Sequence, residues 1–169
     1  LPVLFSKLTK KRSLVVIGGY DAGRIRSLDY GAYTKKVRGF FAIQFIRNCS
    51  LNLGVSQYVL RKLKYIATKA PRTLVYNCVS FDAPQTEHLK ENLVLTVASI
   101  QTERTFFLKG IDTFIETARR MPEISFLLVG LNKLKLNHLV ENIPSNMQII
   151  DVLPHDQLVA YFQRAKIYC

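Results

Sequence analysis

Apolar residues in this chain fall in short, β-branched runs separated by longer stretches with helical spacing, and strand and helix alternate through most of its length. "SLVVIGG" reads as a buried strand bounded by glycines, and "GGYDAGRIRSLDYGAY" after it has no period and is expected to be a loop. From Thr34 to Arg47, Val37, Phe40, Phe41, Ile43 and Phe45 form the apolar side of a helix whose other side is basic. Ser56 can cap a second helix running to Ala67, with Val59, Leu60, Leu63 and Ile66 on one face; Pro71 closes it and "RTLVYN" follows as a strand.

The stretch from Asn77 to Glu91 is polar, contains Pro84 and reads as a linker. Beyond it "NLVLTVAS" is a strand and "KGIDTFIETARR" a helix with Ile111, Phe114, Ile115 and Ala118 at helical spacing. "ISFLLVG", "NMQIID" and "KIYC" read as further strands, with helices in "KLKLNHLVEN" and "HDQLVAYFQRA". Near-continuous apolar strands alternating with helices indicate parallel sheets covered by helices, an α/β fold. Three divisions are expected: residues 1–80, a linker over 81–91, and residues 92–169.

Composition narrows the classes. At 169 residues and 49% apolar, the chain can bury a core, which argues against disorder, and no apolar run reaches the roughly 20 residues of a membrane-spanning helix. Cys49, Cys78 and Cys169 are odd in number and far apart, and His88, His138 and His155 lack ligand spacing. Neither a disulfide framework nor a metal site is expected, and a reducing cytoplasm is the simpler location. The opening "LPVLFSKLTKKR" lacks the order of a secretory signal, and "AKIYC" looks like a strand barely begun, so a piece of a longer protein is expected. A net charge of +12 implies attraction to phosphate, whether in nucleic acid, anionic lipid or a phosphorylated small molecule.

The candidate chemistry lies in "SIQTERTFFLKG", read as a loop at the carboxyl end of a strand, where open parallel sheets bind ligands. Lys109 would add a mobile charge at a helix N-terminus, Arg104 a planar fork for phosphate oxygens, and Gly110 would let a ligand approach the backbone. A lysine opposing the helix dipole there is a mild misfit. Plain alternatives stand beside each: a solvated Lys109, an Arg104 paired with Glu103, and apolar packing for Phe106, Phe107 and Leu108.

The ordered set "VLTVASI", "KGIDTFIETARRMPEISFLLVG" and "IPSNMQIIDVLPHDQLVAYFQRAKIYC" resembles the donor-binding domain of GT-B retaining glycosyltransferases of glycosyltransferase group 1. "VVIGGYDAG", "DYGAY", "LNLGVSQYVLRKL" and "LVYNCVSFD" resemble the end of the acceptor domain and the crossing between domains, with Cys78 in place of the usual glycine. The loop before Arg104 is longer than the family's.

The resemblance implies two Rossmann-like lobes of the GT-B type, both incomplete, that close on a nucleotide diphosphate sugar. Transfer to a glycan or lipid-linked acceptor would proceed with retention. Arg104 and Lys109 would oppose charge on the leaving diphosphate without a metal or other cofactor. Gly110 and Gly130 would lie near the nucleotide, Gly130 reading equally as a turn glycine, and backbone groups at Val152 and Leu153 would hold the base. Gly18, Gly19, Tyr20 and Asp21 would face the cleft from the acceptor side, Gly18 and Gly19 also reading as turn residues.

The family's acidic signature would follow "AKIYC", so this polypeptide alone is not expected to turn over. A rival reading is a basic α/β nucleotide- or nucleic-acid-binding domain without transferase chemistry. Against nucleic acid, no RNA-recognition or helix-turn-helix pattern is present and the aromatics fall mostly at core spacing. A peripheral contact with anionic membrane through residues 34–47 is a third reading, compatible with a transferase on the cytoplasmic face.

Overall fold

A computed structural model describes residues 2–78 and 89–169. The chain divides into two compact units, Leu1–Asp82 and Ala83–Cys169. Residues 81–88 of the expected linker lie outside the described residues, and Glu91 already belongs to a strand.

In the first unit the elements are α1 (Pro2–Leu8), β1 (Leu14–Ile17), α2 (Gly19–Ala22), α3 (Lys36–Asn48), β2 (Leu51–Gly54), α4 (Gln57–Ile66) and β3 (Arg72–Leu74). The strands form a parallel sheet in the order β1-β2-β3. The Ser56 hydroxyl accepts from the Val59 amide at 3.2 Å and starts α4, which lays Val59 and Leu63 against Ile17, Ile46 and Ala67. Burying each of those two side chains contributes about 1.5–3 kcal/mol. Buried Asn52 in β2 fastens the unit across its layers, its amide donating to the carbonyls of Ile46 at 3.0 Å and Pro71 at 3.2 Å.

Two expectations change here, and a third is refined. α1 and β2 form where no element was read, because their apolar runs are too short to show a period. The span after β1 is not a plain loop: it holds α2, two 3-10 turns (Arg26–Leu28 and Ala32–Thr34) and an antiparallel bridge between Ile25 and Tyr30. α3 is a helix as read, and the structure turns much of its apolar stripe away from the core. Gly39 and Ile46 are its buried residues, while Val37, Phe40 and Phe41 lie open to solvent.

In the second unit the order along the chain is β4 (Glu91–Ile100), α5 (Glu103–Leu108), α6 (Ile111–Arg120), β5 (Ser125–Leu131), α7 (Lys133–Leu136), β6 (Met147–Ile150), α8 (His155–Arg164) and β7 (Ala165–Tyr168). The sheet is parallel throughout, in the order β6-β5-β4-β7. Side chains alternate along β4: Val94 faces the layer of α5, α6 and α7, whereas Leu93 and Leu95 face α8. The sheet is thus covered on both faces, a doubly wound Rossmann-like arrangement. Ile111, Phe114, Ile115 and Ala118 are the buried residues of α6, as their spacing indicates.

"KLKLNHLVEN" holds only the four residues of α7 and a 3-10 turn, Asn137–Leu139. Asn146, at the entry to β6, gathers the end of α6: its amide nitrogen lies 3.0, 2.9 and 2.8 Å from the carbonyls of Ala118, Met121 and Ile124. Asn146→Ala removes the donor from carbonyls that are partly out of reach of water, and is expected to cost about 1–3 kcal/mol in urea unfolding of the second unit. Gln, one methylene longer, should not restore it.

Candidate phosphate-binding cleft

Strand order fixes where a ligand can sit in the second unit. From β4 the chain moves outward through β5 to β6, then returns across the sheet to place β7 on the other edge of β4. The carboxyl ends of β4 and β7 therefore flank the point where the strand order reverses, the place at which open parallel sheets bind ligands. A cleft of about 470 Å³ lies there, on the α6 side, lined among others by Thr96, Lys109, Gly110, Thr113, Tyr168 and Cys169. Thr96 is buried, and its hydroxyl donates to the Cys169 carbonyl, joining the two strand ends. The Cys169 amide donates to the Leu95 carbonyl at 2.9 Å and continues the ladder.

The segment read as a loop before Lys109 contains a helix. Thr102 and Thr105 cap α5 reciprocally, with Thr105 N donating to Thr102 Oγ1 at 3.2 Å and Thr102 N to Thr105 Oγ1 at 3.0 Å, and Phe106 is buried under it. This changes the electrostatics of Lys109. It is the C-cap of α5 and directly precedes Gly110, the N-cap of α6. The carbonyl end of α5 favours its charge, offsetting the unfavourable dipole of α6. Gly110 has φ 66° and offers no side-chain cap, so the first amides of α6 keep their donors for another partner. A Cβ at Gly110 would meet nothing within 4 Å, which leaves the backbone open on the cleft side.

The other expected residues are placed differently. Arg104 is an exposed residue of α5 and is not among those lining the cleft. Gly130 is not at a turn: it lies inside β5 with φ 104°, and a Cβ there would stand 2.3 Å from the Ala98 carbonyl oxygen. It permits β5 to press against β4 where the pairing shifts register between Val97 and Ile100. Val152 and Leu153 follow β6 outside any regular element; the Val152 amide donates to Asp151 Oδ1 at 2.7 Å, and Leu153 packs on the α8 side of the sheet.

Thr96, Thr113, Tyr168 and Cys169 escaped the sequence reading. The return of β7 to β4 brings Tyr168 and Cys169 beside Thr96, and no local pattern encodes that pairing. Another hollow, of about 510 Å³, lies at the amino ends of the strands, where the Arg164 and Glu91 side chains pair at 2.7 Å.

In the first unit, Gly18, Gly19, Tyr20 and Asp21 follow β1 at its carboxyl end. Asp21 Oδ2 accepts from the Gly18 amide at 3.0 Å and so holds the turn. The Tyr20 ring meets Tyr30 edge-on and carries the Arg38 guanidinium 5.4 Å from its centre. The neighbouring Tyr33 hydroxyl is buried without a hydrogen-bond partner. Burial, reinforced by the Asp21 carboxylate and opposed by Arg47, pushes this phenol from 10.0 up to about 12.

Among the described residues no cluster of His, Cys, Asp or Glu could hold a metal, and no helix is long and apolar enough to cross a membrane. No protein-family description matches the chain, and no curated protein matches it.

Two outcomes follow from these placements. The folded protein holds the Tyr33 proton more tightly than the unfolded chain, so its contribution is complete below pH 10.0 and is lost as the pH rises through about 12. Melting curves should show Tyr33→Phe gaining on the wild type across that window. Gly130→Ala combines backbone clash with positive φ, and chemical denaturation should show a loss of more than about 2 kcal/mol.

Proposed function

We propose that the second unit binds the diphosphate of a nucleotide sugar and that the chain belongs to a retaining glycosyltransferase of the GT-B type. The observation that supports this reading is the position of Lys109 and Gly110, which line a cleft at the carboxyl ends of β4 and β7. A mobile cation, uncapped helix amides and a side-chain-free backbone meet there, the donor set that a diphosphate needs.

Within this proposal the bond between the anomeric carbon and the diphosphate oxygen breaks toward an oxocarbenium-like sugar. Negative charge grows on the leaving diphosphate, and Lys109 with the first amides of α6 opposes it without reorganising. Removing one such donor would raise the barrier by about 2.7–4 kcal/mol, as at other preorganised oxyanion sites. Arg104 would assist from α5, Gly110 would keep backbone close to the nucleotide, and Val152 and Leu153 would border the base. The proposal includes a glycan or lipid-linked acceptor and a cytoplasmic location. No cofactor or metal is part of the scheme.

The reading is tested by calorimetric titration of the folded chain with UDP and with GDP, comparing wild type with Lys109→Ala. Binding of one nucleotide that weakens at least about tenfold in the variant is the expected result, equivalent to about 1.4 kcal/mol. Binding unchanged by Lys109→Ala, or absent from a folded sample, would overturn it. Gly110→Ala should cost about 1–2 kcal/mol of stability because of its positive φ, measured by denaturation.

The second reading, a nucleic-acid-binding domain, is favoured by one observation: the entire net charge belongs to the first unit, described below. Polynucleotide binding with a steep salt dependence and no nucleotide binding would select it.

A further inference from the structure

The two units differ sharply in charge. Residues 1–82 hold 15 basic and 3 acidic residues, whereas residues 83–169 hold 9 of each, so the whole net charge of +12 sits in the first unit. Between residues 30 and 81 there is no acidic residue at all. Of the two acids in the described part, Asp21 caps the Gly18 amide and Asp29 lies 3.3 Å from Lys35.

The same unit turns apolar residues outward. α3 meets the core through Gly39, which approaches the Tyr33 backbone, and through Ile46. By helical geometry Val37 and Phe41 stand on the opposite side, and Phe40 beside them. Val37 is 71% exposed, Phe40 58% and Phe41 47%. α1 packs against α3 and is tied to it by Lys7, whose ammonium donates to Asn48 Oδ1 at 2.7 Å. It adds Phe5 and Leu8, 66% and 82% exposed. Exposed Lys10, Lys11, Arg12, Lys35, Lys36 and Arg47 accompany these apolar groups in the sequence on and around the two helices.

We propose that α1 and α3 form a docking face for an anionic lipid bilayer surface. A polynucleotide would use the cations but leave Leu8 and Val37 in water, and a neutral apolar protein face would bury the aromatics but leave the cations unmatched. An anionic bilayer surface satisfies both sets, with headgroups meeting the lysines and arginines and the acyl boundary receiving Phe5, Phe40 and Phe41. Phenylalanine edges in contact, such as Phe40 against Phe41 at 5.6 Å between centroids, make one insertable wedge. The inference stands on the first unit alone and is independent of the donor reading.

The test is sedimentation of the full chain with phosphatidylcholine vesicles, with and without about one phosphatidylserine in three lipids. Binding to the anionic vesicles should be at least about tenfold tighter than to neutral ones and should weaken with salt. A Phe40→Ser, Phe41→Ser variant should lose at least about tenfold, and so should a Lys10→Glu, Lys11→Glu variant. All four positions are exposed, so melting curves should match the wild type. Equal binding to neutral vesicles, or anionic binding untouched by the phenylalanine substitutions, would overturn the proposal. Lipid-free self-association abolished by those substitutions, without vesicle binding, would overturn it in favour of a second copy. Oligonucleotide binding in place of vesicle binding would do so in favour of nucleic acid.

Discussion

β4 is hydrogen-bonded along both edges, to β5 from Leu93 to Ile100 and to β7 from Glu91 to Leu95, and the cleft beside Lys109 exists because of that double pairing. The pairing with β7 closes a long excursion through β5, α7, β6 and α8, so its chain entropy is a substantial cost. Apolar burial on both faces offsets it: Leu95, Leu128, Val129 and Leu131 are completely enclosed. Thr96 then joins the strand ends through the Cys169 carbonyl, and Gly130 allows β5 to press onto Ala98. Without either contact the mouth of the sheet would have a different shape.

Lys109 shows how local structure changes an electrostatic argument. Read as the first charge before a helix, it opposes the dipole. Placed between the carbonyl end of α5 and the amide end of α6, it is held by one dipole while it extends the field of the other. The Thr102–Thr105 cap makes this arrangement, because it turns residues 103–108 into a helix that stops at Lys109.

The units divide their physical tasks. The second is neutral in sum, with an enclosed two-faced sheet and, at the strand ends, a cleft where Lys109 and threonine hydroxyls meet walls that include Val94, Ile111 and Phe114. The first carries the excess charge and leaves apolar side chains of α1 and α3 largely exposed, at a cost to the unit. That cost is what makes the two helices informative, since exposed apolar groups in a unit that carries the whole net positive charge favour a surface that takes both.

The sequence by itself determined the alternation of strands and helices, the parallel α/β class, the core face of α4 and α6, and the Lys109–Gly110 pair as candidate chemistry. These are legible because they rest on spacing within ten or so residues: the Ser56 cap, and Ile111, Phe114, Ile115 and Ala118 on one stripe. It left the direction of α3 open, since a run such as Val37, Phe40, Phe41 shows that a face is apolar but not which way the helix turns it. Only the tertiary structure decided that, through the close fit of Gly39 against Tyr33. It also decided that Gly130 is a strand-packing residue rather than a turn, and that Thr96, Tyr168 and Cys169 share the cleft with Lys109. Contacts between residues some seventy positions apart, such as Thr96 with Cys169, depend on strand order, and strand order is a property of the assembled sheet that no local pattern carries.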